Sequence, residues 1–65
     1  MRILINRQPY DLAEGCSLEA ALTGAGFKPP FAVALNLQFV PKTRYGLTPL
    51  KPGDEVEVIS PITGG

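Results

Sequence analysis

The sequence predicts an α+β domain, a mixed sheet with a single short helix packed across it. Three observations carry that reading. Residues 1–6 and 55–59 alternate apolar and polar side chains with the period of a strand. Leu18, Ala21, Leu22 and Ala25 fall at i, i+3, i+4 and i+7, one narrow helical stripe. The 65 residues leave room for one domain, and a chain so short buries only about 60% of its unfolded surface. One helix laid on one sheet is the economical way to cover a core of that size.

The first strand points Ile3 and Ile5 one way and Arg2, Leu4 and Asn6 the other. Asn6, Arg7, Gln8 and Pro9 read as a turn, with Tyr10, Asp11 and Leu12 returning as a short second strand. Ser17 is placed to cap the helix, and Glu19 complements the positive end of its dipole. Gly26 supplies a natural stop, and Pro29 and Pro30 prevent continuation. About two turns result, too few to stand without a sheet beneath them.

Residues 31–35 read as the third strand, with Val33 and Leu35 on one face and Ala32, Ala34 and Asn36 opposite. Asn36 and Leu37 form a tight-turn site, Gln38, Phe39 and Val40 return, and Pro41 ends the strand. Residues 42–49 have neither period and read as a surface loop or short 3₁₀ segment pinned by Tyr45 and Leu47. Pro52 and Gly53 suit a type II turn before the last strand. The order is β-β-α-β-β-β. With the first and last strands parallel neighbours, Ile3, Ile5, Leu18, Leu22, Val33, Leu35, Val56 and Val58 form the core.

Six basic and six acidic residues cancel, so no net field gathers nucleic acid. The longest apolar run, residues 31–35, is too short to span a bilayer, and no basic-then-apolar leader precedes the first strand. One cysteine excludes an internal disulfide, and the absence of histidine leaves no zinc-type cluster. A reduced, cytoplasmic setting is expected.

The chain divides into a folded domain, residues 1–59, and a flexible tail, residues 60–65. Pro61 cannot donate to a sheet ladder, and Gly64 and Gly65 carry no side chain to anchor them. Fully extended, the tail reaches roughly 20 Å. A diglycine end fits a channel too narrow for any Cβ.

The element order is that of the ubiquitin β-grasp, and the sequence resembles the ThiS family of sulfur carriers in thiamin thiazole biosynthesis. Four stretches carry the resemblance: Met1-Arg2-Ile3-Leu4-Ile5-Asn6; Val33-Ala34-Leu35-Asn36 with Val40-Pro41-Lys42; Pro52-Gly53-Asp54-Glu55-Val56-Glu57; and the terminal Gly64-Gly65. The small subunit of molybdopterin synthase and the carriers of tRNA thiolation share the fold and the diglycine. The former is typically longer than this chain; a tRNA-thiolation carrier fits its length.

The resemblance implies a co-substrate, not an enzyme. A free α-carboxyl is anionic in the cell and repels nucleophiles. In the family an E1-like adenylyltransferase (ThiF-like) activates it with ATP and Mg²⁺, and no cofactor stays bound to the carrier. A persulfide derived from a cysteine desulfurase displaces AMP to leave a thiocarboxylate. Thiazole synthase (ThiG-like) then receives the sulfur. On this reading Gly65 is the reactive residue, Gly64 threads the tail, and Pro61 and Ile62 set the exit direction. Leu4 and Ile59, outward-facing on neighbouring strands, are the candidate docking contact, while Lys42 and Arg44 read as solvated loop charges. A sulfur carrier for another recipient and a ubiquitin-like interaction module with an inert tail are the competing readings. Cys16 precedes the helix, but without histidine it has no obvious base and reads as a small packing residue.

Overall fold

The computed structural model describes residues 1–60. The strands are β1 (Arg2–Ile5), β2 (Gln8–Asp11), β3 (Ala32–Leu35), β4 (Gln38–Val40) and β5 (Glu55–Ile59). They form one sheet in the order β2-β1-β5-β3-β4. The last strand in sequence is thus the middle strand in space. It runs parallel to β1, with Leu4 opposite Glu55, and antiparallel to β3, with Ala32 opposite Ile59. Helix α1 (Leu18–Gly24) covers one face, and a 3₁₀ segment, Lys42–Leu47, packs beside it.

Local chemistry sets the limits of α1. The Ser17 hydroxyl accepts the Ala20 amide at 3.1 Å, satisfying a donor that the first turn leaves orphaned. At the other end Gly26 takes φ +87°. Its amide donates to the Thr23 carbonyl and that of Phe27 to the Leu22 carbonyl, both at 3.1 Å. This is the Schellman closure that a left-handed residue permits. Seven residues do not hold a helix in water. Burial of Leu18, Ala21 and Leu22 against the sheet holds this one, each buried leucine contributing about 1.5–3 kcal/mol.

The expected core forms around Ile3, Ile5, Leu18, Leu22, Val33, Val56 and Val58, all buried. Leu35 is only half-buried, because it ends β3 beside the hairpin turn and packs at the rim. Ala21, Val40, Tyr45 and Leu50 complete the core. Of the two expected loop pins, Tyr45 is buried but Leu47 is 73% exposed; Leu50, at 3%, takes its place. In a 3₁₀ turn three residues close one revolution, so Leu47 cannot follow Tyr45 inward two positions later. Leu50 is drawn in by backbone pairing: its amide donates to the Cys16 carbonyl at 2.9 Å, and the Leu18 amide to that of Thr48 at 2.8 Å.

The first hairpin is tighter than its sequence predicts. Asn6 and Arg7 alone make the turn, both left-handed (φ +51° and +68°), and β2 already begins at Gln8. This two-residue geometry matches the twist of the flanking strands. Pro9 therefore lies inside a strand. The Leu4 amide opposite it is spent on the carbonyl of Asp54, the residue just before β5, at 2.9 Å. The Leu4–Pro9 pair consequently exchanges no hydrogen bond, and the proline nitrogen faces the open edge, where its missing N–H costs nothing.

Candidate functional site

The face of the sheet opposite α1 has no covering element among the described residues. Alternation along the strands decides what it carries: Arg2 and Leu4 from β1, Glu55, Glu57 and Ile59 from β5, Ala32 and Ala34 from β3, and Phe39 from β4. Phe39 is 71% and Ile59 62% exposed. Across the middle of the face run Glu57, Ala34 and Phe39, aligned residue for residue; the next row holds Ile59 and Ala32. Large exposed apolar side chains grouped on one face of a small domain make it the candidate interaction surface. Glu55 and Glu57 set two carboxylates at its centre.

Leu4 and Ile59 both lie on this face, as expected, but they do not meet. Leu4 is level with Glu55, and Ile59 stands four residues further along β5, roughly 13 Å away. The strand neighbour of Ile59 is Ala32, while Phe39 stands one row away across β3, beside Ala34. Sequence reading passed over Phe39, although a two-residue turn at Asn36 and Leu37 pairs it with Ala34 and fixes its direction. Pro61, Ile62, Gly64 and Gly65 lie outside the described residues.

Strand β5 leads to this tail and is held from both sides by asparagines in matching turns. Asn36, at φ +51°, donates its amide to the Glu55 carbonyl at 2.8 Å and accepts the Glu55 amide on Oδ1 at 3.0 Å. Asn6, also at φ +51°, donates its amide to the Val56 carbonyl and accepts the Val58 amide on Oδ1, both at 2.8 Å. Asn36 Nδ2 also donates to Asp54 Oδ1 at 3.1 Å, and Asp54 Oδ2 accepts the Lys51 amide at 2.7 Å. The type II turn, with Gly53 at φ +85°, is thereby tied to the start of β5.

Cys16 is half-buried against the core, its Sγ 3.5 Å from the Ser17 carbonyl, in keeping with a packing role. Lys42 lines a cleft of about 350 Å³ on the helix side, with Glu19 and the stacked rings of Phe31 and Tyr45 (centroids 5.9 Å apart). Among the described residues there is no group of three or more potential metal ligands, and no helix is long and apolar enough to cross a membrane.

The sequence pattern of the ThiS family matches residues 3–65. The chain belongs to the ThiS family. Proteins of this family are sulfur carriers of thiamin biosynthesis, and they carry rather than catalyse. The crystal structure of a thiamine biosynthesis protein (ThiS) from Geobacter metallireducens superposes with a TM-score of 0.84 at 25% identity, covering 100% of both chains. The ubiquitin-like β-grasp is therefore the fold of this ThiS chain. A thiazole synthase of Magnetococcus marinus is 38% identical over 66 residues, a match that takes in 100% of this chain and 20% of that protein. The chain spans about a fifth of the length of this curated relative.

Proposed function

We propose that this chain carries sulfur as a thiocarboxylate on Gly65 and delivers it to a thiazole synthase. The observation that carries the reading is the placement of β5. The strand that leads to Gly64-Gly65 is the central strand of the sheet, and it runs along the uncovered face that carries the exposed Phe39 and Ile59. A partner that grips the face through Phe39, Ile59 and Leu4 receives the tail at a fixed distance and direction, with Pro61 and Ile62 guiding its exit. That arrangement replaces a bimolecular encounter with delivery on a tether, which raises effective concentration at the reacting centre.

The chemistry follows from the carboxylate. The Gly65 carboxylate attacks the α-phosphorus of ATP in the E1-like partner, which supplies Mg²⁺; pyrophosphate leaves and an acyl adenylate forms. The terminal sulfur of a protein persulfide attacks the acyl carbon and displaces AMP. A thiol then cleaves the resulting S–S bond, leaving the sulfur on Gly65. The thiocarboxylate sulfur, a softer nucleophile than oxygen, attacks a carbonyl carbon in the synthase. The carrier lowers no barrier; it supplies one atom. Gly64 and Gly65 admit the tail to active sites too narrow for a Cβ.

The recipient reading draws on the Magnetococcus protein, in which a segment similar to this chain forms part of a thiazole synthase. The test is reconstitution of thiazole formation from this chain, its activating enzyme, a persulfide donor and a thiazole synthase. Product is expected with the full chain and none with a chain lacking Gly64 and Gly65. Equal product from both would leave the tail inert and reduce the domain to an interaction module. Loading without thiazole formation, with sulfur passed to tRNA instead, would move the recipient and keep the carrier.

A further inference from the structure

Strand β1 ends at Ile5, beside Val56, whereas β5 runs on to Ile59. The amides of β5 alternate in direction, so those of even-numbered residues face β1 and those of odd-numbered residues face β3. On the β3 side the ladder continues to the Ala32–Ile59 pair. On the β1 side it stops, and Val58 N–H is the first donor beyond the end of the neighbouring strand. Asn6 Oδ1 takes that donor at 2.8 Å while its own amide holds Val56 O. One turn residue thus extends β1 by a side chain, two positions before Ser60. A glycine meets the turn's demand for positive φ equally well but carries no oxygen.

We propose that Asn6 is a positioning residue for the working end: its side chain holds β5 straight to the foot of the tail and so sets where Gly65 is delivered. The proposal rests on the carrier reading above. Asn36 provides an internal control. It makes the same pair of bonds in the same kind of turn, but to Glu55, at the opposite end of the strand from the tail.

The experiment compares the full chain with Asn6→Gly, Asn6→Asp and Asn36→Gly, by amide hydrogen exchange and by steady-state loading with the E1-like enzyme, ATP and a persulfide donor. Asn6→Gly keeps the turn and removes the acceptor, and Asn6→Asp keeps both. In Asn6→Gly the Val58 amide is expected to lose protection about tenfold, the worth of one hydrogen bond, while Glu57 on the β3 side keeps its own. Loading is expected to show kcat reduced roughly tenfold or more with KM unchanged, because docking survives and aim does not. Asn6→Asp restores both readouts. Asn36→Gly lowers stability and leaves loading kcat as it was.

Unchanged Val58 protection in Asn6→Gly would overturn the clamp. Lost protection with unchanged loading kcat, or an equal kcat loss in Asn36→Gly, would leave Asn6 a stabilising residue and overturn the positioning role. A wild-type chain that never loads would overturn the carrier reading itself and the positioning role with it, while the exchange data alone would still report the clamp.

Discussion

Replacing Leu37 by glycine should stabilise the domain, although it deletes a large apolar side chain. Leu37 is the second residue of the β3–β4 turn and sits at φ +70°, 86% exposed. A Cβ in the left-handed region costs about 1–2 kcal/mol, and Gly is preferred at this place in a two-residue hairpin turn. Against that relief stand the greater freedom of glycine in the unfolded chain, about 0.4–1 kcal/mol, and the small burial lost, about 0.3 kcal/mol at the usual worth of a leucine. The balance is about 0.5 kcal/mol in favour of Leu37→Gly. At about 2.1 cal/mol/K per residue of unfolding entropy, a domain of this size gains roughly 3–4 °C in Tm. Thermal unfolding followed by circular dichroism measures it, with Leu37→Ala as control. Alanine keeps the strain and loses the burial, so its Tm should be equal to wild type or slightly lower. A Leu37→Gly chain that melts below wild type would show that Leu37 makes contacts its exposure conceals, and the strain argument would fail.

Leu50→Ala should cost about 2–5 kcal/mol as a core truncation, whereas Leu47→Ala should stay within about 0.5 kcal/mol of wild type; urea unfolding separates the two. Ser17→Ala removes the helix cap and should cost about 1 kcal/mol, with Ser17→Gly losing only a few tenths. Phe39→Ala should melt like wild type yet weaken binding to the activating enzyme by about tenfold, as loss of an aromatic anchor does; titration calorimetry decides it, and unchanged affinity would move the docking surface elsewhere. Cys16→Ala should load sulfur at the wild-type rate, and loss of loading in a folded variant would give the thiol a chemical role.

The helix and the strands β1, β3, β4 and β5 were legible in the sequence, because each buries one face and its apolar period survives; β2, which buries none of its residues, was legible only as the return of a hairpin. The first hairpin was misjudged at Pro9, since proline usually signals a turn; only the sheet order reveals that β2 is an edge strand with a direction in which the missing N–H is harmless. Leu47 and Leu50 are indistinguishable by composition, and the choice between them is made by backbone bonds to Cys16 and Leu18 that no local pattern encodes. The candidate site was half legible. Outward positions of β1 and β5 gave Leu4 and Ile59, but their separation along β5 follows from the parallel register, a long-range property. Asn6 read as a turn residue and nothing more, because its bond to Val58 spans 52 positions of sequence.

The most direct test of the carrier account is the intact mass of the chain after co-expression with its activating enzyme and a persulfide donor, beside a chain lacking Gly65. The account predicts a shift equal to one oxygen replaced by sulfur in the full chain and none in the shortened one. No shift in the full chain, with the same enzymes loading another carrier, would contradict it.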